Sequence, residues 1–427
     1  MGKLLRPKRR NPWSIKGQIT HFGHRISNNL KKPVRKFVIQ MLYGIQASKD
    51  VKLSNISRHL NERIPLIKTE GRLSRKIGKE DLPGQMNKNL VADGGKRIKE
   101  DTVIALDISD IDKPYAKKME NLALVRDGST GERKSKGYWL LDVLGADVEG
   151  EDLTPLYGEL YSQEAEGFKS ENRQILNAID IVTEGIGKKG IWAIDRGGDR
   201  SILLKGLLKG GLRFVVRMVG ERGLIQKDGE KKKALKIAWS CSYPHQREVT
   251  IQTDGESKKR IILVGHTEVK LPFHKEWLLL VVVKGFGEKP LMLLTNVKVE
   301  SLGAMRVLEI YLTRWKCEES YRFIKQAYQL EDIRVLSYTA LRTMVVLVQA
   351  VFYFISGELG KKLKLNILLN KIFEKAKRFF EIPDFRQYAI ADGIHKIFCT
   401  STTGIMSTLA RREDMGQLLI PFAVQLS

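Results

Sequence analysis

Histidine and cysteine are scarce: the 427-residue chain holds seven of the first and three of the second. The cysteines (Cys241, Cys317 and Cys399) are odd in number and far apart, and the sequence has no CxxC motif or Cys/His cluster. That argues against a disulfide framework and against a zinc site, and for a reduced, cytosolic setting. Acidic residues are missing from the start, where the first is Asp50. The basic N-terminus is followed by no apolar run of the kind a signal peptide needs. Long hydrophobic runs are missing too. The longest uncharged, mostly apolar stretch, from Thr343 to Gly357, is shorter than the ~20 residues of a membrane span. It reads as a buried core helix, and no membrane is expected as a partner. Internal repeats and low-complexity tracts are absent.

What the chain has in excess is positive charge. Lys and Arg number 74 against 49 Asp and Glu, a formal charge of +25. Self-repulsion on that scale is tolerated where the partner is a polyanion, nucleic acid first and an anionic membrane surface second. The length and the 42% hydrophobic content allow a sizeable core and two or three domains. The first hundred residues carry 24 Lys and Arg against 7 Asp and Glu, a surplus of 17. A basic helical DNA-binding region over 1–95 is therefore expected ahead of a near-balanced body. Within it, apolar residues at helical spacing mark a helix from Asn29 to Gln46. Leu53 to Leu60, a break near Pro65 and Lys68 to Ile77 could form a helix-turn-helix presenting Arg72, Arg75 and Lys76 to phosphates. A merely basic helical pair fits the same residues. Gly84 to Gly95 reads as an interdomain link.

From residue 101 the pattern changes to strands: Thr102 to Ser109, Asn121 to Arg126 and Tyr138 to Val148, with a turn at 127–133. A helix from Ser170 to Glu184, a strand from Gly190 to Asp195, a helix from Ser201 to Lys209 and a strand from Arg213 to Met218 follow. Together they make a mixed α/β unit over 101–218. The segment 219–298 is strand-rich and reads as an antiparallel β insertion. A helix from Ser301 to Gln329 spans most of 299–335, and 336–427 is mostly helical.

That last helix is chemically loaded. Tyr311, Arg314, Glu318 and Lys325 share a stripe roughly 60° wide at about 100° per residue. Leu308, Leu312, Trp315, Phe323 and Ala327 gather on an adjoining apolar face. Such a stripe is either a surface ion-pair ladder or a carboxylate that holds a metal between cations that grip phosphate. Two further acids bear on the choice. Asp107 lies inside the apolar run Val103 to Ile108, where an ionised carboxylate is costly unless paired or metal-bound. Asp195 ends its own apolar strand. Three carboxylates without His or Cys neighbours make a hard-oxygen site suited to two Mg²⁺ or Mn²⁺ ions. Such an ion pair serves in-line phosphoryl displacement. Asp110, Asp112, Asp199 and Glu319 stand near these acids as competing candidates, and Arg196 follows Asp195 directly.

At these residues the chain resembles the DDE transposases of bacterial insertion sequences, in the subgroup with a Y-(2)-R-(3)-E-(6)-K signature. Tyr311, Arg314, Glu318 and Lys325 match its spacing; Leu106 to Asp110 and Ala193 to Gly198 resemble its two Asp motifs. The resemblance covers roughly 100–335. It implies an RNase H-like catalytic core with a β-rich insertion, flanked by helical N- and C-terminal regions. Asp107, Asp195 and Glu318 would hold the metals, and Tyr311, Arg314 and Lys325 would contact DNA. The implied reaction nicks double-stranded DNA at transposon ends, passes through a hairpin and joins the freed end to target DNA. A homodimer would synapse the two ends in a prokaryotic cytoplasm, with the C-terminal helices as interface. Trp277 is the residue expected to stack a flipped base, with a strand-core role as the alternative. Cys317 stands where relatives carry an aliphatic residue. A nuclease on the same fold, or a DNA-binding protein without transposition activity, remains the rival reading.

Overall fold

The fold is taken from a computed structural model, which describes residues 11–79, 81–126, 134–149, 152–253, 256–298, 303–359, 372, 385–406 and 409. The expected turn at 127–133 and most of the C-terminal segment beyond 359 lie outside these residues.

Five helices open the chain: α1 (Asn11–Ile26), α2 (Lys32–Ser48), α3 (Leu53–Leu60), α4 (Leu66–Ile77) and α5 (Leu82–Gly94). The expected link at Gly84 to Gly95 is thus a helix. Pro83 sits in its first turn, where a missing N–H costs nothing. Leu82, Met86 and Leu90 face the core.

Strands β1 (Val103–Asp112), β2 (Ala123–Arg126), β3 (Lys134–Ala146) and β4 (Leu153–Tyr161) follow. After them come α6 (Glu171–Ile186), β5 (Ile191–Ile194), α7 (Ser201–Lys209) and β6 (Phe214–Arg217). Ser170 caps α6 by accepting the Arg173 N–H, as its residue type favours. Strand β4 has no counterpart in the sequence reading because Pro155 and Gly158 disguise it. Pro155 is tolerated at an irregularity in the β3–β4 register, between Val143 and Leu144.

The strand-rich segment contains β7 (Gly223–Ile225), β8 (Lys231–Lys233), α8 (Ala234–Ser240), β9 (His245–Thr253), β10 (Glu256–Val269), β11 (Leu278–Lys284) and β12 (Leu291–Thr295). Strands β7 and β8 form a separate hairpin. Strands β9–β12 instead continue the main sheet, because β12 pairs antiparallel with β6. The result is one mixed ten-stranded sheet in the order β2-β3-β1-β5-β6-β12-β11-β10-β9, with β4 also on β3.

The expected helix from Ser301 to Gln329 is two helices, α9 (Ala304–Thr313) and α10 (Trp315–Ala327), separated at Arg314. Next come α11 (Tyr338–Tyr353), extended by a π-helical turn (Phe354–Glu358), and α12 (Gln387–Cys399). Tyr338–Glu358 is apolar and long enough to cross a membrane, yet nearly all of it is buried inside the protein.

Three apolar clusters hold the layers together. Helices α1–α5, α10, α11 and α12 pack on one face of β1, β3 and β4. Helices α6, α7 and α8 cover the other face. Helix α9 lies over β1, β5, β6, β11 and β12. Across the first layer runs a polar tie. Asp93 of α5 accepts from Arg25 of α1 (2.8 Å) and from the Tyr353 hydroxyl of α11 (2.8 Å). Arg25 and Arg97 both also reach Glu358. Although burial opposes its charge, Asp93 is held below the usual carboxylate range by the Arg25 and Tyr353 hydrogen bonds.

Asp93→Ala would leave Arg25 and Tyr353 without this partner. It is expected to cost about 2–3 kcal/mol, somewhat less than breaking a fully buried pair because Arg25 keeps some solvent contact. Urea unfolding followed in parallel in both proteins checks this; an unchanged midpoint would refute the tie.

Candidate active site

Asp107 and Asp195 are brought side by side by parallel pairing. Leu106 of β1 is in register with Ile194 of β5, so the next residue along each strand is one of the two acids. Alternation puts Asp107 on the face shared with Ala105, which α9 and α10 cover. Asp195 then caps the short 3₁₀ turn Arg196–Gly198, its Oδ1 accepting the Gly197 N–H at 2.7 Å.

Glu318 arrives on the first turn of α10. Arg314, at the break between α9 and α10, joins it to Asp107: Nη2 lies 2.7 Å from Glu318 Oε1 and Nη1 lies 3.2 Å from Asp107 Oδ2. The Arg314 side chain is 6% exposed and its Nε has no hydrogen-bond partner. Burial opposes its charge, but Asp107 and the other neighbours of the site more than offset this and hold the guanidinium above its ordinary pKa. Burial, with Asp195 and Glu318 as like charges, pushes the Asp107 carboxyl up to about 7 in spite of Arg314.

A fourth carboxyl, absent from the sequence reading, completes the cluster. Asp142 of β3 stands opposite Asp107 in the antiparallel register and is buried. Its Oδ1 has no hydrogen-bond partner. Burial, then the neighbouring Asp107 charge, pushes its pKa well above the usual carboxylate range. Room for it comes from Gly158 on β4, where a Cβ would stand 2.9 Å from that oxygen. The signal available in the sequence was an Asp inside the apolar run Tyr138 to Leu144, the same pattern that marks Asp107. Cys317 is fully buried, and the Tyr321 hydroxyl donates to the Asp107 backbone oxygen at 2.7 Å.

Other expected site residues fall differently. Tyr311 is 3% exposed and packs in the α9 cluster, with the Arg314 guanidinium 5.8 Å from its ring centre. The ring stands beside the Arg314 guanidinium. Lys325 Nζ lies 3.1 Å from Glu331 and 3.8 Å from Asp110. Arg196 is exposed. Trp315, expected on the apolar face, is 56% exposed, because the break at Arg314 gives α9 and α10 separate buried faces.

Trp277 is 40% exposed and carries Lys270 over its ring at 4.2 Å, so it is not strand core. Nor is it near the acids. Ile194, Val216, Leu294 and Leu280 share one rung across β5, β6, β12 and β11. Asp195 lies beyond that rung at one end, and Trp277, three residues before Leu280, at the other.

Of the competing acids, Asp199 is buried and bonded to Arg222 and the Val219 N–H. Asp112 accepts from Ser135, and Glu319 pairs with Arg322.

In the N-terminal region Arg72 bonds to Glu62 (2.7 Å) and Gln40 (2.8 Å). Arg75 is exposed; Lys76 donates to the Pro33 carbonyl at 3.2 Å, and both line one cleft with Lys79, Pro33 and Phe37. A further correction concerns cysteine: His59, His395 and Cys399 do meet in space. Among the described residues they are the one group of potential ligands whose atoms all lie within 4.8 Å. The oxygens of Asp107, Asp195 and Glu318 are not drawn together in that way.

No protein-family model matches the chain, and no curated protein matches it in sequence. Among solved structures, a cryo-EM structure of a piggyBac transposase synaptic complex with hairpin DNA aligns over 94% of this chain and 83% of that one. The TM-score is 0.40 at 10% sequence identity, which decides neither fold nor function.

The unfolded chain releases the Asp107 proton near its ordinary value of 3.8, the folded chain at about 7. Stability is therefore expected to fall as pH rises between those values and to level off above them. Asp107→Asn should be at least about 1 kcal/mol more stable than the wild type near pH 8, with the gain shrinking towards pH 4. Thermal unfolding across that range checks it. A variant no more stable than wild type at the upper end would refute the charge crowding.

Proposed function

We propose that the protein is a DDE transposase with an RNase H-like catalytic core, acting on double-stranded DNA by metal-dependent cleavage and strand transfer. The observation that carries this reading is the placement of Asp107 and Asp195 one residue beyond a shared rung, with Glu318 linked to Asp107 through Arg314. Sheet topology agrees with it. Three antiparallel strands (β1, β3, β4) followed by two parallel ones (β5, β6), in the order β4-β3-β1-β5-β6, form the sheet centre. The acids stand on the first and fourth of these five strands and on a later helix.

The donor set suits hard divalent ions. Asp107, Asp195 and Glu318 would hold Mg²⁺ or Mn²⁺, and a bound cation would offset the burial and the like charges that raise the Asp107 pKa. When bound, the ions would supply Lewis-acid activation of the attacking oxygen and charge neutralisation at the leaving oxygen. Arg314 acts as the internal counter-cation of the free site and turns to a phosphate oxygen when DNA occupies it. Arg196 and Lys325 flank the same site and hold the strand by its backbone. Tyr311 positions Arg314. The exposed indole of Trp315, next to Arg314, takes the base-stacking role first assigned to Trp277. Arg75 and Lys76 of the α4 cleft contact phosphates away from the cleavage point, and a homodimer synapses two DNA ends.

A plasmid carrying the element's own ends, incubated with Mg²⁺, tests the reading. Asp195→Ala and Glu318→Gln are each expected to reduce cleavage by about 10³-fold or more while leaving end-DNA binding intact. Equal cleavage by all three proteins would sink the site assignment, and binding without cleavage by the wild type would favour a DNA-binding protein. Cleavage without joining would favour a nuclease.

DNA affinity should fall steeply with salt. Arg75→Ala should reduce the slope of log K against log salt by about 1. An unchanged slope would remove α4 from the interface.

A further inference from the structure

Cys399 sits on the last turn of α12 and His395 one turn earlier, so both project from the same side of the helix. His59 faces them from α3, 340 residues away in sequence. Cys399 Sγ lies 4.0 Å from His59 Nε2 and 3.6 Å from His395 Nε2. It also lies 3.8 Å from His395 Nδ1. In a tetrahedral zinc site, bond lengths of about 2.3 Å to sulfur and 2.05 Å to nitrogen place the two donors about 3.6 Å apart. The three side chains already stand near the spacing that an ion between them would impose.

The second nitrogen of each ring is already committed. His395 Nδ1 lies 2.6 Å from the Ala47 carbonyl oxygen, and His59 Nδ1 lies 3.0 Å from the Asn55 carbonyl oxygen. A carbonyl can only accept, so each Nδ1 carries the proton, which leaves the Nε2 lone pair for an ion. This is the arrangement by which backbone carbonyls fix the tautomer and orientation of metal-bound histidines. Charge does not oppose a cation here, since the nearby Lys49 is paired with Asp392. Cys399 is exposed and the histidines half-buried, so an ion can enter and a water can complete the coordination.

We propose that His59, His395 and Cys399 form a zinc site that staples α3 to α12, independently of the carboxylate cluster. Binding exchanges the Cys399 thiol proton, released to solvent, for a zinc–thiolate bond. A neighbouring contact already holds the same two regions together: the Asn61 side chain, just after α3, donates to the Thr402 carbonyl at 2.9 Å. From α1, Lys16 binds Ser401 and Thr403 in the same segment. The ion would lock the α3–α4 pair, with its basic cleft, against the C-terminal helix.

The test uses the untagged full chain, stripped of metal and titrated with Co²⁺ as a spectroscopic probe, then with Zn²⁺ in competition. About one equivalent of Co²⁺ is expected to give a thiolate-to-metal charge-transfer band, which Zn²⁺ abolishes. Ions bound to carboxylates alone give no such band. Cys399→Ser, at an exposed position, should lose the band and keep the fold. His59→Gln should weaken binding at least about tenfold and is preferred to a change at His395, whose ring also holds the Ala47 carbonyl. Absence of the band in the wild type, its persistence in Cys399→Ser, or unchanged affinity in His59→Gln would each overturn the proposal.

Discussion

The acid cluster depends on one cation, the Arg314 guanidinium. Carboxyl groups of Asp107, Asp195, Glu318 and Asp142 approach one another at the edge of the core, and two of them are driven towards their neutral forms. Arg314 is the group that touches two of the acids at once, and its side chain is more buried than either of theirs. Removing it would leave the acids with no internal counter-charge, a far larger penalty than the loss of an exposed ion pair. Arg314 also stands at the point where α9 ends and α10 begins. The break sends α9 across β5, β6 and β12 and lets α10 lie against β1 and β3. One residue therefore both neutralises the site and directs the two helices that frame it.

The sheet supplies the remaining precision. Parallel pairing of β1 with β5 sets Asp107 against Asp195, and antiparallel pairing of β1 with β3 sets Asp142 opposite Asp107. A slip of one residue in either ladder would turn an acid to the other face, into the apolar layer under α6 and α7. Continuing the sheet through β12 to β9 buries the β6 edge and stiffens the strand beside Asp195. Sites carried on paired strands hold their geometry more closely than sites on loops.

The parts legible in the sequence are those where a local contradiction marks the residue. An Asp inside Val103 to Ile108 breaks an otherwise apolar strand, and that conflict located β1 and the acid together. The start of α6 was readable too, from a helix expected at Ser170, the residue that caps it. What stayed hidden was set by partners distant in sequence. Strand β4 is concealed by Pro155 and Gly158, whose roles appear only beside β3 and Asp142. The partners of Arg72, Glu62 and Gln40, are 10 and 32 residues away and appear only in the folded chain. The exposure of Trp315 follows from the break at Arg314, and the separation of Trp277 from the acids follows from the assembled sheet. His59 and Cys399 could not be paired by any spacing rule, since α3 and α12 meet only through the fold.

The basic N-terminal quarter shows how net charge misleads when counted as a whole. Lys16, Arg25, Lys49, Arg72 and Arg97 bind side chains or carbonyls elsewhere in the fold. Their charge assembles α1–α5 on the C-terminal helices and is spent before any polyanion arrives. Lys31, Lys36, Arg63, Lys68, Arg75 and Lys79 are exposed. Only cations of this second kind displace counterions on binding nucleic acid, so the salt dependence of affinity should report far fewer contacts than the surplus of 17 suggests. The region is thus a structural layer first, and which of its cations stay available to a polyanion follows from which ones the fold has already neutralised.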